Sequence, residues 1–370
     1  MTFYEENLRG SGTGSGADQA GAGQGEKAHK RRPRYSGRYP KKFSEKYKEL
    51  NPEKYADTIS HVIEKGGTPA GMHISIMVEE IMEFLDIKPG QRGVDATLGY
   101  GGHTREMLKR LEGKGHIYGL DVDPIESEKT RERLLKEGFG SEILTVRLQN
   151  YADIDRLSQE AGKFDFILAD LGVSSMQIDN PERGFTFKDD GPLDLRMNPN
   201  EGKSAADRLR EMDYEEICGM LTENSDEPYA EEIAGEIIKR RKRGDKIDTT
   251  GKLKAAVEEA LCRVPEDKRR EAVKKACQRT FQALRIDVNH EFESLYSFME
   301  KIPGVLNPGG KAAILTFHSG EDRIVKKAFK EYYREGIYQE ISKGVIRPSA
   351  EECIRNSRAR STKLRWAVRA

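Results

Sequence analysis

The sequence predicts an α/β fold of the Rossmann-like kind, a mainly parallel sheet that carries an inserted all-helical domain. Three observations carry this expectation. Short apolar runs rich in β-branched residues alternate with helix-type segments from about Ile74. The alternation stops between Asn200 and about Met299, where only helical patterns occur. A strand-like run then returns before the C-terminus.

In chain order, "RGVDATL", "GHIYGLD", "EILTVRL" and "KFDFILAD" read as strands, because continuous apolar runs of this length suit strands covered on both faces. Between them, "GHTREMLKRLEG", "PIESEKTRERLLKEG" and "YADIDRLSQEAG" read as helices, and the alternation implies βαβ units. In the helical stretch, Ala230, Ile233, Ala234, Ile237 and Ile238 recur at helical spacing. "DTTGKLKAAVEEAL" then starts a helix with Thr249 or Thr250 as its cap. "NPGGKAAILTFHSGEDRIVKKAF" returns to turn, strand and helix, and "STKLRWAV" supplies a last strand. The expected organisation is an N-terminal arm over 1–58, a first part of the catalytic domain over 59–195, the insertion over 196–295, and a second part over 296–370.

Composition narrows the function classes. At 370 residues there is room for a large domain with an insertion. No apolar run approaches the roughly 20 residues of a membrane helix, and the polar, glycine-rich start is unlike a signal peptide. A cytoplasmic location and no membrane partner follow as expectations. The four cysteines, Cys218, Cys262, Cys277 and Cys353, are too scattered for a zinc site, so no metal is expected. Net charge is zero, yet residues 27–48 carry a local +9, with −3 before them and −6 after. Residues 7–25 are too poor in apolar side chains to order themselves. The basic run interleaves Tyr35, Tyr39, Phe43 and Tyr47 with its charge, and two readings stay open: an RNA-binding arm or a solvated linker.

"VDATLGYGGHT" breaks from strand into glycines without the lysine a triphosphate loop requires, and its GxGG spacing lacks the packing glycine of a dinucleotide fingerprint. Gly99, Gly101 and Gly102 would let backbone approach a ligand closely. Asp121 ends the second strand about twenty residues on, where a carboxylate can accept ribose hydroxyls. Asp123 better fits a cap for the following helix. Asp170 ends the fourth strand after four apolar residues, a costly place for a charge unless it faces the open crevice. Gly172, Ser174 and Ser175 follow in a turn. A glycine turn with ribose and pocket carboxylates, and no phosphate chemistry, suits S-adenosylmethionine.

These residues resemble the bacterial small-subunit rRNA methyltransferases of the RsmH/MraW family. The strings that carry the resemblance are "DATLGYGGHT", "DLGVSSMQIDNPERGFTFKDDGPLDLRMNP", "RTFQALRIDVNHE", "NPGGKAAILTFHSGEDRIVK" and "NSRARSTKLR", from His73 to the C-terminus. The resemblance implies a class I S-adenosylmethionine-dependent methyltransferase that modifies the N4 amino group of a cytidine in the decoding region of 16S rRNA in the small ribosomal subunit. It also implies a helical insertion that helps grip RNA. By motif position it places Gly101, Gly102, His103, Asp121, Tyr151, Asp170 and Gln177 on the cofactor. Asp170, with carbonyls of Leu171 or Gly172, would accept hydrogen bonds from N4, while Ser174 and Ser175 hold the base or the turn.

Departures from the family are Lys275, Ala276, Cys277 and Gln278 in place of a His-Pro-Ala-Thr lead-in, and Gly320 where a leucine is usual. They leave room for a diverged copy with a different rRNA target. Two basic clusters, Lys239 to Arg243 and Arg355, Arg358, Arg360 and Arg365, are candidate phosphate grips. Competing readings are a small-molecule methyltransferase, a non-catalytic ribosome assembly factor, and, least favoured by the GxGG turn, a dehydrogenase. The oligomeric state stays open between monomer and homodimer.

Overall fold

A computed structural model describes residues 75–370; the arm over 1–58 and the start of the segment after it lie outside the described residues. The chain runs α1 (Val78–Leu85), β1 (Arg92–Asp95), α2 (Gly102–Leu111), β2 (His116–Asp121), α3 (Pro124–Lys136), β3 (Leu144–Leu148), α4 (Ile154–Ala161), β4 (Phe164–Asp170) and α5 (Ser175–Asp179). Five helices follow: α6 (Ala205–Glu211), α7 (Tyr214–Ser225), α8 (Ala230–Lys242), α9 (Thr250–Ala260) and α10 (Glu266–Asn289). The chain closes with α11 (Glu291–Val305), β5 (Leu306–Thr316), α12 (Ser319–Arg334), β6 (Tyr338–Ile341), α13 (Ala350–Arg355) and β7 (Lys363–Arg369).

The seven strands form one sheet in the order β3-β2-β1-β4-β5-β7-β6. Pairs among β3, β2, β1, β4 and β5 are parallel, and β7 runs antiparallel to both β5 and β6. Strand order reverses between β1 and β4, which opens a crevice at their C-terminal ends. Both faces are covered, as the continuous apolar runs require. Val94, Ile167 and Ile314 pack with Leu157 of α4 and Phe298 of α11 on one face. Phe166, Leu168 and Leu315 pack with Ile81 of α1 and Met107 of α2 on the other. Leu209, Leu221, Ile233, Leu253 and Leu284 of α6 to α10 form a separate core.

Local chemistry sets the helix starts. Asp123 caps α3, accepting from Ile125 N at 3.0 Å and Glu126 N at 3.2 Å, with Pro124 at the first helical position. Of the two candidate caps for α9, Thr249 takes the role, while the buried Thr250 bonds back to residues 189–191. His290 adopts a left-handed conformation (φ 50°) that separates α10 from α11. From there on Leu295, Phe298, Met299, Ile302 and Val305 join the sheet core.

Two features differ from the sequence expectation. "NPGG" lies inside β5: Phe164 pairs with Leu306 but Phe166 with Lys311, so the residues between bulge outward. The edge strand β6 had no sequence signal, because Gln339 and Glu340 face solvent and only Tyr338 is buried. Among the described residues no helix is long and apolar enough to cross a membrane.

Candidate active site

The three adjacent strands β2, β1 and β4 each end in an aspartate: Asp121, Asp95 and Asp170. A cleft of about 880 Å³ lies over these ends and is lined by Asp121 and Asp170. Each carboxyl is held above its ordinary range first by burial, Asp121 to about 6 and Asp170 to about 6, with Asp95 raised as well. The charge of Asp95 adds to the shift on both neighbours. A row of carboxylates in a poorly solvated crevice attracts a cationic ligand.

Asp121 accepts from Gly99 N at 2.8 Å and from Asp123 N at 2.9 Å, which fixes its carboxylate at the rim of β2 with lone pairs left for further donors. Asp95 takes Thr104 Oγ1 at 2.5 Å and Thr97 N at 3.2 Å. Thr97 Oγ1 in turn accepts from Asp170 N at 2.6 Å, so the glycine turn and the end of β4 are tied together. Asp95, at the end of β1, was not singled out from the sequence. Its place beside two site carboxylates on a parallel sheet was the signal available.

Gly101 (φ 75°) precedes α2, whose N-terminal turn meets the cleft. Protein packing also leaves little room at these glycines: a Cβ on Gly101 would lie 2.7 Å from Thr130 Cγ2, and one on Gly102 2.0 Å from Ser75 Oγ. His103 is buried. Its Nε2 donates to Ile76 O at 2.9 Å, and its Nδ1 sits 3.6 Å from Asp170 Oδ2. The other oxygen, Asp170 Oδ1, has no hydrogen-bond partner among the described residues.

Ser174 and Gln177 have structural work. Ser174 N donates to Gln177 Oε1 at 2.8 Å and Gln177 N to Ser174 Oγ at 3.2 Å, a capping box on α5. Gln177 Nε2 also donates to Asp123 Oδ2 at 2.8 Å, where Arg183 Nη1 meets it at 2.8 Å. Both residues still line the cleft. Ser175 opens α5, and its side chain lies outside what is described.

Tyr151 also lines the cleft, with its ring 5.0 Å from Phe298. Burial, and the charges of Glu291 and Glu321, push its hydroxyl pKa well up. Beside it Arg285 clasps Glu291 with two bonds of 2.8 Å, and Glu321 Oε2 accepts from Phe317 N at 2.8 Å. Ligand-type atoms of Glu291, His318 and Glu321 lie within 4.8 Å of one another, with Arg285 supplying countercharge. Phe317, which the sequence did not single out, lines the cleft next to Gly172, whose Cβ would lie 3.8 Å from its ring.

The candidate phosphate grips are partly absorbed into the fold. Arg365 is buried against Asp322 at 2.7 Å. Arg241 donates to three carbonyls at the end of α6, including Met212 O at 2.6 Å, and Arg240 pairs with Glu236 at 3.1 Å. Arg358 bonds Asp179 at 3.0 Å at the cleft wall, Arg355 pairs with Glu351, and Lys242, Arg243 and Arg360 are exposed. Of the departures, Cys277 is buried in the insertion core and Gln278 is exposed, and neither lines the cleft.

A doubly wound sheet in this order, with an acidic crevice at its switch point and a glycine turn free of phosphate chemistry, defines a class I methyltransferase. The chain belongs to the MraW methylase family, whose model matches residues 70–370. The ribosomal RNA small subunit methyltransferase H 1 of Agathobacter rectalis is 69% identical to it, covering 93% of this chain and 99% of its own. Methyltransferase H 2 of Alkaliphilus metalliredigens is 60% identical with the same shares. Methyltransferase H of Carboxydothermus hydrogenoformans is 39% identical, covering 80% and 97%. A solved rRNA methylase from Streptococcus thermophilus aligns over 80% of this chain and 99% of its own at 13% identity and a TM-score of 0.37, and carries no argument about this one.

The cofactor is S-adenosylmethionine, and the residues fit it. The first-turn amides of α2 suit its carboxylate, Asp121 suits ribose hydroxyls, and the carboxylate row suits a sulfonium.

Proposed function

We propose that the protein methylates the N4 amino group of a cytidine in the decoding region of 16S rRNA, acting on the small ribosomal subunit. The single observation that carries this reading is Asp170, which lines the cleft together with Asp121 and whose buried Oδ1 has no hydrogen-bond partner among the described residues. An orphaned acceptor in such a place is available to a donor group of a bound ligand.

Cytosine N4 is a poor nucleophile because its lone pair conjugates with the ring. Asp170, accepting an N4 hydrogen, draws the nitrogen toward tetrahedral geometry, and its charge stabilises the positive charge that develops there. The bound cofactor supplies the electrophilic methyl group. Holding amine and methyl group in line lowers the barrier by several kcal/mol on the order of other positioning effects. Since N4 is paired within a duplex, the base must enter unpaired or flipped out. Phe317, beside Gly172 in the same wall, offers a face on which an extruded pyrimidine stacks. Gly101, Gly102, His103 and Tyr151 bound the cofactor part of the cleft, while Ser174 and Gln177 act by fixing the loop after β4. The small-subunit rRNA named for the relatives is the substrate class this arrangement serves.

The test is mass-spectrometric mapping of methylated cytidines in rRNA from cells with and without the protein. It is paired with transfer from labelled cofactor to purified small subunits, naked rRNA and small metabolites. Loss of one N4-methylcytidine in the decoding region, restored on small subunits in vitro, is expected. Unchanged rRNA cytidines, or label on small metabolites alone, would refute the reading.

A further inference from the structure

Methylation of an exocyclic amine leaves a proton to be placed, and the site contains a group arranged to take it. N4–C forms as S–C breaks, the S–C electron pair stays on sulfur, and the methylated nitrogen must shed one of its two hydrogens as a proton. We propose that Asp170 receives this proton and passes it to His103, which holds it until product leaves. The inference rests on the proposed amine methylation.

Geometry supports each link. Asp170 lines the cleft, its buried Oδ1 has no hydrogen-bond partner among the described residues, and its Oδ2 lies 3.6 Å from His103 Nδ1. His103 Nε2 is committed as a donor, because its partner, Ile76 O at 2.9 Å, can only accept. The neutral ring therefore carries its hydrogen on Nε2 and turns the Nδ1 lone pair toward Asp170. Two acceptors facing each other in a buried place form a vacancy for one proton. After N4 gives its proton to Oδ1, rotation about Cβ–Cγ presents it to Nδ1. The carboxylate and an imidazolium remain, held as an ion pair with the Ile76 bond intact.

The charged groups around the pair favour that end state. Asp95 on β1 and Glu321 on α12 bear on Asp170, and Asp95 also feels His103. All are carboxyls, so a positive charge gained beside Asp170 is better tolerated there than a second negative one. Asp170 is raised to about 6 by burial, which lets it bind a proton transiently near neutral pH without keeping it. His103 acts through Asp170 and is a positioning residue in this scheme.

His103→Gln keeps an amide donor for Ile76 O but offers no site for a proton. Single-turnover methyl transfer to small subunits is expected to slow about 10- to 100-fold, the lower part of the range for proton-transfer catalysis. The KM for subunits should stay within about 2-fold, and the slowing should persist at saturating cofactor, because His103 also borders the cofactor part of the cleft. His103→Ala leaves space for free imidazole, which should restore rate in proportion to its unprotonated fraction. A full-rate His103→Gln enzyme across pH 5.5 to 8.5, or imidazole rescue that is indifferent to imidazole protonation, overturns the relay. If wild-type protein transfers no methyl group to N4, the proposed function fails instead. An active wild type with an equally active His103→Gln variant sinks only the relay.

Discussion

Replacing Asp170 with asparagine should stabilise the ligand-free protein while abolishing methyl transfer. Burial raises the native carboxyl pKa from 3.8 to about 6, with Asp95 and Glu321 adding to the shift and His103 opposing it. Native protein therefore holds this proton more tightly than the unfolded chain, so stability from this group is fully present below pH 3.8 and is lost as pH rises through 6. A shift of about 2 units corresponds to about 3 kcal/mol. The side chain keeps 24% of its surface open to water, which trims the figure to about 2 kcal/mol. Asparagine keeps the shape and the backbone bond to Thr97 while removing the charge. Urea denaturation without cofactor should show a gain of about 2 kcal/mol at pH 8, falling to about a third of that at pH 4.5, where wild-type Asp170 is already protonated in the native state. The same variant should give no methylated product. A loss of stability at pH 8, or a gain that does not shrink with acid, would show that Asp170 is not a strained carboxylate awaiting a cation.

Two further substitutions separate support from recognition. Asp123→Ala removes a fully buried carboxylate that caps α3 and bonds both Gln177 and Arg183, leaving the guanidinium without its ion partner. Denaturant unfolding should show a loss of about 3–5 kcal/mol, as for other broken buried pairs. Phe317→Leu keeps an apolar side chain but removes the stacking face, so kcat/KM on small subunits should fall about 5- to 150-fold, from a stacking energy of about 1–3 kcal/mol. Cofactor affinity should be unchanged, and Phe317→Tyr should retain activity; an equal loss of cofactor binding would place Phe317 elsewhere in the machinery.

The sheet and two of its three terminal aspartates were legible because a parallel sheet must be built from apolar runs, and a charge at the end of such a run has one affordable direction. Asp123 as a helix cap was legible from Asp-Pro for the same local reason. What stayed hidden depends on distant partners. At Gly102 a Cβ would meet Ser75, far back in the chain. Arg241 and Arg365 looked like phosphate ligands, yet the first closes the end of α6 and the second meets Asp322. Position along the chain shows charge density but not which charges are already paired. The Ser174–Gln177 box was readable from its three-residue spacing before a short helix, and it agrees with the turn-holding alternative left open for Ser174. β6 was hidden because an edge strand with one buried residue has no hydrophobic period.

Gly320 shows how a departure from the family pattern is absorbed. A Cβ there would lie 2.6 Å from Phe292 Cζ and 3.2 Å from His318 Nδ1, so the usual leucine cannot enter while Phe292 occupies that volume. Phe292 tilts onto His318 at 5.8 Å, next to Glu321, whose charge reaches Asp170. Phe292 therefore fills the space that a side chain at position 320 would have to enter. Gly320→Leu alone should destabilise by about 1–3 kcal/mol through overpacking. Combined with Phe292→Ala it should cost less than the sum of the single changes, with a coupling of about 1–2 kcal/mol between the contacting sites. Additive losses in a double-mutant cycle would mean that the two side chains do not compete for one space. Coupling with full methyl transfer by the double variant would show that a side chain from either position can fill this wall for the same chemistry.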